Sequence, residues 1–306
     1  MILQITHRTK YNYDPAVLTA HHILHLSPAS GPHQEVIEHS LNMYPVPAEK
    51  KSTIDTFGNV ATYVALHAAH DFLDIVASSK ILTHETKLIQ ETLTVNWPIG
   101  WAQAQSIFEY RAGAAFNEAF EFVFHSPMVP LHTNFKEYAE ISFSSQPTLL
   151  GAVRNLMERI HRDFIYESKS TDINTPVLTA LAQRKGVCQD FAHVMLGCCR
   201  SMGLAARYVS GYLLTVPPPG QARLIGSDAS HAWISVYCPD ETNNAQGFWF
   251  DFDPTNNRMG LHSPGCDYVT LATGRDYSDV SPVRGVIQGS LDHTLRVEVT
   301  VEPAEI

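Results

Sequence analysis

Cys188 lies in the run Gly186-Val187-Cys188-Gln189-Asp190-Phe191, where an amphipathic pattern begins that places Phe191, Val194, Met195, Cys198 and Met202 on one side and stops at Gly203. The spacing predicts a helix that starts at the cysteine and takes Gly203 as its C′ residue. A thiol at a helix N-terminus meets the positive end of the macrodipole and free backbone N–H groups, and both favour the nucleophilic thiolate. A cysteine is more often a small buried hydrophobe. Cys198 and Cys199 fit that bland role, because mid-helix the dipole no longer acts and burial raises a thiol's pKa.

A thiolate nucleophile needs an imidazole to share its proton and a third group to orient that imidazole. Ser230-His231-Ala232-Trp233 opens one alternating strand, and Phe250-Asp251-Phe252-Asp253-Pro254 closes the next. With the intervening polar turn at 239–247 centred on residue 243, a hairpin sets His231 opposite residue 255, and a slip of one or two residues brings Asp253 directly across. Asp251 points to the same face and competes for the orienting role. His193, five residues after Cys188, is about 140° around the helix from it and should face away from the thiol.

The elements that position these residues are legible as changes of texture. Residues 1–82 read as strands, in the runs ILQITHRTKYNY, AHHILHLSP, VIEHSLNMYPVP, NVATYVALHAAH and LDIVASSKI, separated by Pro and Gly breakers. From 83 to 145 the texture turns helical, with Ile107, Tyr110 and Ala114 to Phe116 at helical spacing. Pro147 then opens a strong amphipathic helix with Leu149, Leu150, Val153, Leu156, Met157 and Ile160 on one stripe. A further helix begins near Thr175-Pro176, where proline is tolerated in the first turn. ARYVSGYLL, SHAWISVYC and FWFDFDP read as strands, and the Pro/Gly loop at 217–227 is a candidate flap.

Composition excludes several classes. The 306 residues carry 21 Lys+Arg against 31 Asp+Glu, a net charge of −10 with the basic residues scattered, so a nucleic-acid partner is not expected. With 44% hydrophobic and 17% charged residues, the chain is expected to bury a sizeable core. No apolar leader segment and no stretch of 18 apolar residues occurs, so neither secretion nor a membrane partner is expected. The five cysteines are an odd number, which suits a reducing compartment, and a cytoplasmic location is expected. Sixteen histidines invite a metal reading, but no C-x2-4-C or H-E-x-x-H spacing occurs, and the Asp251-x-Asp253 run lacks the glycine and acidic twelfth position of a calcium loop. No metal or other cofactor is expected.

The runs GVCQDFAHVM, GLAARYVSGYL, DASHAWISVY, FDPTNN and GRDYSDVSPVRG resemble the signatures of the bacterial transglutaminase-like superfamily of papain-like cysteine enzymes. YNYDPA, HLSP and DTFGNV resemble the β domain that precedes the core in that family. The resemblance implies an α+β fold: an antiparallel β domain at 1–82, then a transglutaminase-like catalytic domain at 83–306. Within the latter, 83–145 is a helical lead-in, 146–290 the motif-bearing core and 291–302 a final strand. It implies Cys188 as nucleophile, His231 as its proton partner and Asp253 as the residue that orients the histidine. The Cys188 backbone N–H is one oxyanion donor by position, and Gln183 is a candidate for the second. The resemblance also brings the 274–279 loop near the cleft, making Asp276 and Tyr277 candidate substrate contacts.

The implied reaction is hydrolysis of a peptide or amide bond in a peptide or protein substrate through a thioester. Transfer to an amine, as in cross-linking, is the alternative within the same chemistry, and a non-catalytic peptide-binding module is the alternative outside it. With no calcium device or amine tunnel readable in the sequence, hydrolysis is the favoured reading.

Overall fold

Alternating burial shapes the front of the chain: β1 (Ile2–Val17) turns Leu3, Ile5, His7 and Thr9 inward and Thr6 and Arg8 outward. The computed structural model describes residues 1–85, 99–109, 112–113, 117–167, 175–215, 230–239, 247–289 and 291–305. Four further strands match sequence-predicted runs, namely β2 (Thr19–Ser27), β3 (Gln34–Tyr44), β5 (Val60–Leu66) and β6 (His70–Thr83), with β4 (Glu49–Ile54) before β5. All six residues of β4 are exposed, so no period-2 signal marks it in the sequence.

Two four-stranded antiparallel sheets result, and each takes one strand from the far end of the chain. β14 (Val283–Gln288) pairs with β2 and β15 (Asp292–Pro303) with β1, giving the orders β15-β1-β6-β3 and β14-β2-β5-β4. The pairing therefore departs from the sequence expectation of 83–306 as one unit with its own last strand. β15 is zipped onto β1 from Leu3↔Pro303 to Asp14↔Asp292. The physical reason is the apolar alternation Val297, Val299, Val301, which packs with Leu3 and Ile5. Tyr212, Val269 and Leu271 of the neighbouring sheet join the same cluster and fasten the two parts of the molecule together.

The helical lead-in contains α1 (Trp101–Ile107), a 3-10 turn at Glu118–Val123 and α2 (Thr133–Ser145). Tyr110 and Ala114 to Phe116 lie outside the described residues. α3 (Leu149–Asp163) buries all six residues of its predicted stripe and is capped by Thr148, whose hydroxyl accepts the Gly151 N–H. β7 (Ile165–Tyr166) pairs in parallel with β8 (Lys185–Gly186), and α4 (Val177–Gln183) lies between them. Pro176 is the N-cap of α4, one position ahead of the expected first turn.

α5 (Cys188–Ser201) is buried continuously from Asp190 to Arg200 and forms the axis of the main core. One side of it meets α2, where a Cβ on Gly197 would press into the Phe135 ring at 2.8 Å. Gly203 takes φ +75° just beyond its end, the left-handed C′ conformation that glycine adopts without steric cost. The other side covers a five-stranded antiparallel sheet of order β12-β11-β10-β9-β13. Its strands are β9 (Ala206–Leu213), β10 (Ser230–Pro239), β11 (Gly247–Asp253), β12 (Arg258–Leu261) and β13 (Tyr268–Gly274), and the short helix α6 (Tyr277–Val280) follows. The candidate flap at 217–227 lies outside the described residues, as do 240–246 of the β10–β11 turn. No described helix is long and apolar enough to cross a membrane.

Candidate active site

The strand β8 delivers the chain to Val187, whose extended backbone (φ −105°, ψ −179°) is the N-cap of α5. Asp190, in the first turn, accepts the Val187 N–H at 2.8 Å and fixes where the helix begins. Cys188 is thus the first helical residue, half-buried at a terminus whose N–H groups have no carbonyl one turn earlier to bond. Cys198, Cys199 and Cys238 are fully buried, and burial pushes their thiols up, Cys199 to about 12. They are core residues.

His231 enters the site as the second residue of β10, held between β9 and β11. Its partner across β9 is Gly211, where a Cβ would collide with the Val269 carbonyl and the Trp233 indole. The imidazole lines the same cleft as the Cys188 thiol and interacts with it electrostatically, and its Nε2 lies 2.8 Å from Asp253 Oδ2. Burial pulls the His231 pKa down, but the Asp253 charge, its hydrogen bond and the thiol outweigh this and raise it to about 10. The ring also stacks on Trp233, with centroids 6.1 Å apart.

Every β10–β11 pair is symmetric about position 243, so the expected hairpin centre holds and no slip occurs. Asp253 reaches His231 diagonally, two residues along the same sheet face, a span open to a ring and a carboxylate. Its two oxygens divide the roles of turn-former and histidine partner. Oδ1 accepts the Thr255 and Asn256 N–H groups at 2.9 and 3.2 Å, whereas Oδ2 meets His231. Oδ2 also accepts the Tyr268 hydroxyl at 2.7 Å and the Asn256 amide at 2.8 Å. Burial raises the Asp253 pKa, yet the imidazole charge and these donors hold it below the ordinary carboxylate range.

Asp251 is turned to other partners. It accepts the Trp233 indole N–H at 2.8 Å and the Ser235 hydroxyl, and burial raises its pKa to about 6. His193 accepts the Tyr277 N–H at 3.2 Å, packs on the Tyr208 ring and does not line the cleft.

A cleft of about 360 Å³ opens over Cys188 and His231, with Gln189, Tyr166, Tyr208 and Tyr277 among its lining. Tyr277 therefore lies where a substrate contact was expected. Its neighbour Asp276 does not: fully buried, it accepts the Ser278 N–H at 2.8 Å and the Met128 N–H at 2.7 Å, capping α6 from within the core. Gln183 is also misplaced by the sequence reading, because at the end of α4 its side chain is exposed and away from the cleft. Spacing counted along the chain missed that Arg184, left-handed at φ 55°, turns the backbone at the end of α4 before β8 leads to Cys188.

Asn256 and Tyr268 were not singled out in the sequence. Asn256 had a signal, as the residue three after an Asx-turn aspartate. Tyr268 had none, because it arrives from β13. Among the described residues no group of three or more His, Cys, Asp or Glu side chains is placed to hold a metal ion.

Residues 3–82 match the bacterial transglutaminase-like N-terminal region, and residues 137–254 match the transglutaminase-like superfamily. An uncharacterized protein of Mycobacterium tuberculosis is 36% identical over 305 residues, spanning 99% of this chain and 93% of its own length. An uncharacterized protein of Mycobacterium leprae is 29% identical over 304 residues, spanning 97% and 98%. The fold is similar to the crystal structure of a "Putative Cysteine Protease from Cytophaga hutchinsonii", with TM-score 0.70 at 18% identity, covering 100% of this chain and 92% of that one.

Proposed function

Because the chain belongs to the bacterial transglutaminase-like family, we propose that it is a thiol-dependent acyl-transfer enzyme that hydrolyses peptide or amide bonds. Cys188, His231 and Asp253 form its catalytic triad. The observation that carries this reading is that Cys188 and His231 line one cleft, with the His231 ring bonded to the buried Asp253 carboxylate behind it.

The Cys188 thiolate attacks the substrate carbonyl carbon, and negative charge moves to the carbonyl oxygen, where the Cys188 N–H is a donor by position. The His231 imidazolium gives its proton to the departing amine as the C–N bond breaks, leaving a thioester. Water then attacks the thioester, His231 takes the water's proton, and the acid leaves as the C–S bond breaks, which restores the thiolate and imidazolium. Asp253 stabilises the imidazolium in both half-reactions and, with Tyr268 and Asn256 holding the carboxylate, fixes the ring's direction.

Hydrolysis and transfer to an amine differ only in what attacks the thioester. Incubation with peptide and glutaminyl substrates, with and without a labelled primary amine, separates them. Release of free acid with no label incorporated supports hydrolysis, label in the product supports transfer, and no turnover of any amide overturns the enzyme reading. A reducing, cytoplasmic setting is part of the same proposal and rests on the odd number of cysteines in the chain.

A further inference from the structure

One wall of the cleft over Cys188 comes from the N-terminal sheets rather than from the core that carries the triad. His7, Thr9 and Tyr11 alternate along β1 onto the cleft side, and Val297 and Leu295 of β15 stand opposite Thr9 and Tyr11. Among the described residues that line the cleft none is Asp, Glu, Lys or Arg.

His7 is the unusual member of this wall. It is only 2% exposed, and its Nδ1 lies 2.9 Å from the Tyr212 hydroxyl, while its buried Nε2 has no hydrogen-bond partner. Whichever way the Tyr212 proton points, one hydrogen-bonding function of the ring is left unused. A buried unpaired polar atom of this kind is costly and calls for a reason. Burial pulls the ring's pKa to about 4, so at neutral pH it offers a hydrogen bond and no charge.

We propose that the N-terminal sheet is the substrate-selecting half of the active site. When a peptide binds, a small shift of this wall uncovers His7 Nε2, which hydrogen-bonds an uncharged polar group of the peptide, and Thr9, Tyr11, Leu295 and Val297 complete a wall that admits uncharged side chains and excludes ionised ones. The inference rests on Cys188 being the nucleophile of the proposed function. A charged side chain entering this cleft would lose water and gain no counter-charge from the wall, which is how a neutral site discriminates.

The test uses peptide vinyl sulfones that differ only in the residue beside the electrophile: leucine, asparagine, aspartate or lysine. Labelling of Cys188 is read by mass spectrometry alongside labelling by iodoacetamide. The leucine and asparagine probes should react at least tenfold faster than the aspartate and lysine probes. His7→Leu should lower the asparagine-to-leucine ratio fivefold or more, and His7→Gln, which keeps a donor and an acceptor, should restore most of it. Tyr11→Glu, at a half-buried position that tolerates a polar side chain, should raise the lysine-to-aspartate ratio at least tenfold. A flat panel, or ratios indifferent to both His7→Leu and Tyr11→Glu, overturns this inference. If the panel is flat while iodoacetamide still favours Cys188, the thiol-enzyme reading stands without it. If iodoacetamide shows no preference for Cys188, both fail.

Discussion

Asp251 and Asp253 share one face of β11, two residues apart, yet their environments push their protons in opposite directions. Burial raises Asp251 to about 6, while the imidazolium, Tyr268 and Asn256 outweigh burial and hold Asp253 below the ordinary carboxylate range. Asp251 grips Trp233, and Trp233 stacks on the ring that Asp253 orients. One strand thus supplies both the ionised partner of His231 and the buried support beneath its stacking neighbour.

The reactive thiol should be identifiable by rate. At neutral pH iodoacetamide should label Cys188 roughly a hundredfold or more faster than Cys198 and Cys199, whose thiols burial pushes up. Cys188→Ala should abolish turnover with a melting temperature close to that of the parent, since the side chain is half-buried at a helix end. Equal labelling of the three thiols in the folded protein would contradict the assignment.

The pH profile of kcat/KM should be bell-shaped, its alkaline limb reporting loss of the imidazolium proton. His231 is raised to about 10 chiefly by the Asp253 charge working against burial, so removing that charge moves the limb to lower pH. Asp253→Asn should do this and reduce kcat on the order of 10²–10⁴-fold. Asp251→Asn should leave the alkaline limb in place. The reverse pattern would exchange the two carboxylates' roles.

Asp251 also gives a stability signature. It binds its proton more tightly folded, at about 6, than at its ordinary value of 3.8, so the unfolded chain is the first to ionise as pH rises. Stability should then fall between about pH 4 and pH 6, by on the order of 3 kcal/mol, and level off above. Asp251→Asn cannot titrate, so the melting temperature of the variant relative to the parent should rise across that window. Calorimetry at pH 4.5, 5.5 and 7 checks it, and a constant difference would rule the linkage out.

Tyr268→Phe removes one donor from Asp253 and leaves the ring that packs beside His231. It should lower kcat about threefold to tenfold and cost about 1 kcal/mol of stability. A loss as large as that of Asp253→Asn would mean that the hydroxyl does more than steady the carboxylate.

Much of this was legible in the sequence because the decisive signals are local. A helix start, a strand start and a strand end fix Cys188, His231 and Asp253, and the symmetry of one hairpin brings the last two together. What escaped depends on distance along the chain. The fully exposed β4 has no alternation to read, and β15 finds its partner almost the whole sequence away. Gln183 and Asp276 lie near functional residues in number, but the left-handed turn at Arg184 carries one off and a cap buries the other. Tyr268 becomes visible only once β13 is laid beside β9, which places its hydroxyl on Asp253.

The pairing of β14 and β15 with the first strands also sets a timetable for synthesis. β1 and β2 leave the ribosome early, but the strands that cover their open edges follow β6 by about 200 residues. At about 5–20 residues per second, those edges wait on the order of 10–40 s for their partners. During that interval the nascent chain carries two long unpaired strand edges, the feature most prone to pairing with another chain. The wall of the cleft that β1 builds with β15 is completed last of all, after Cys188 and His231 have already been made.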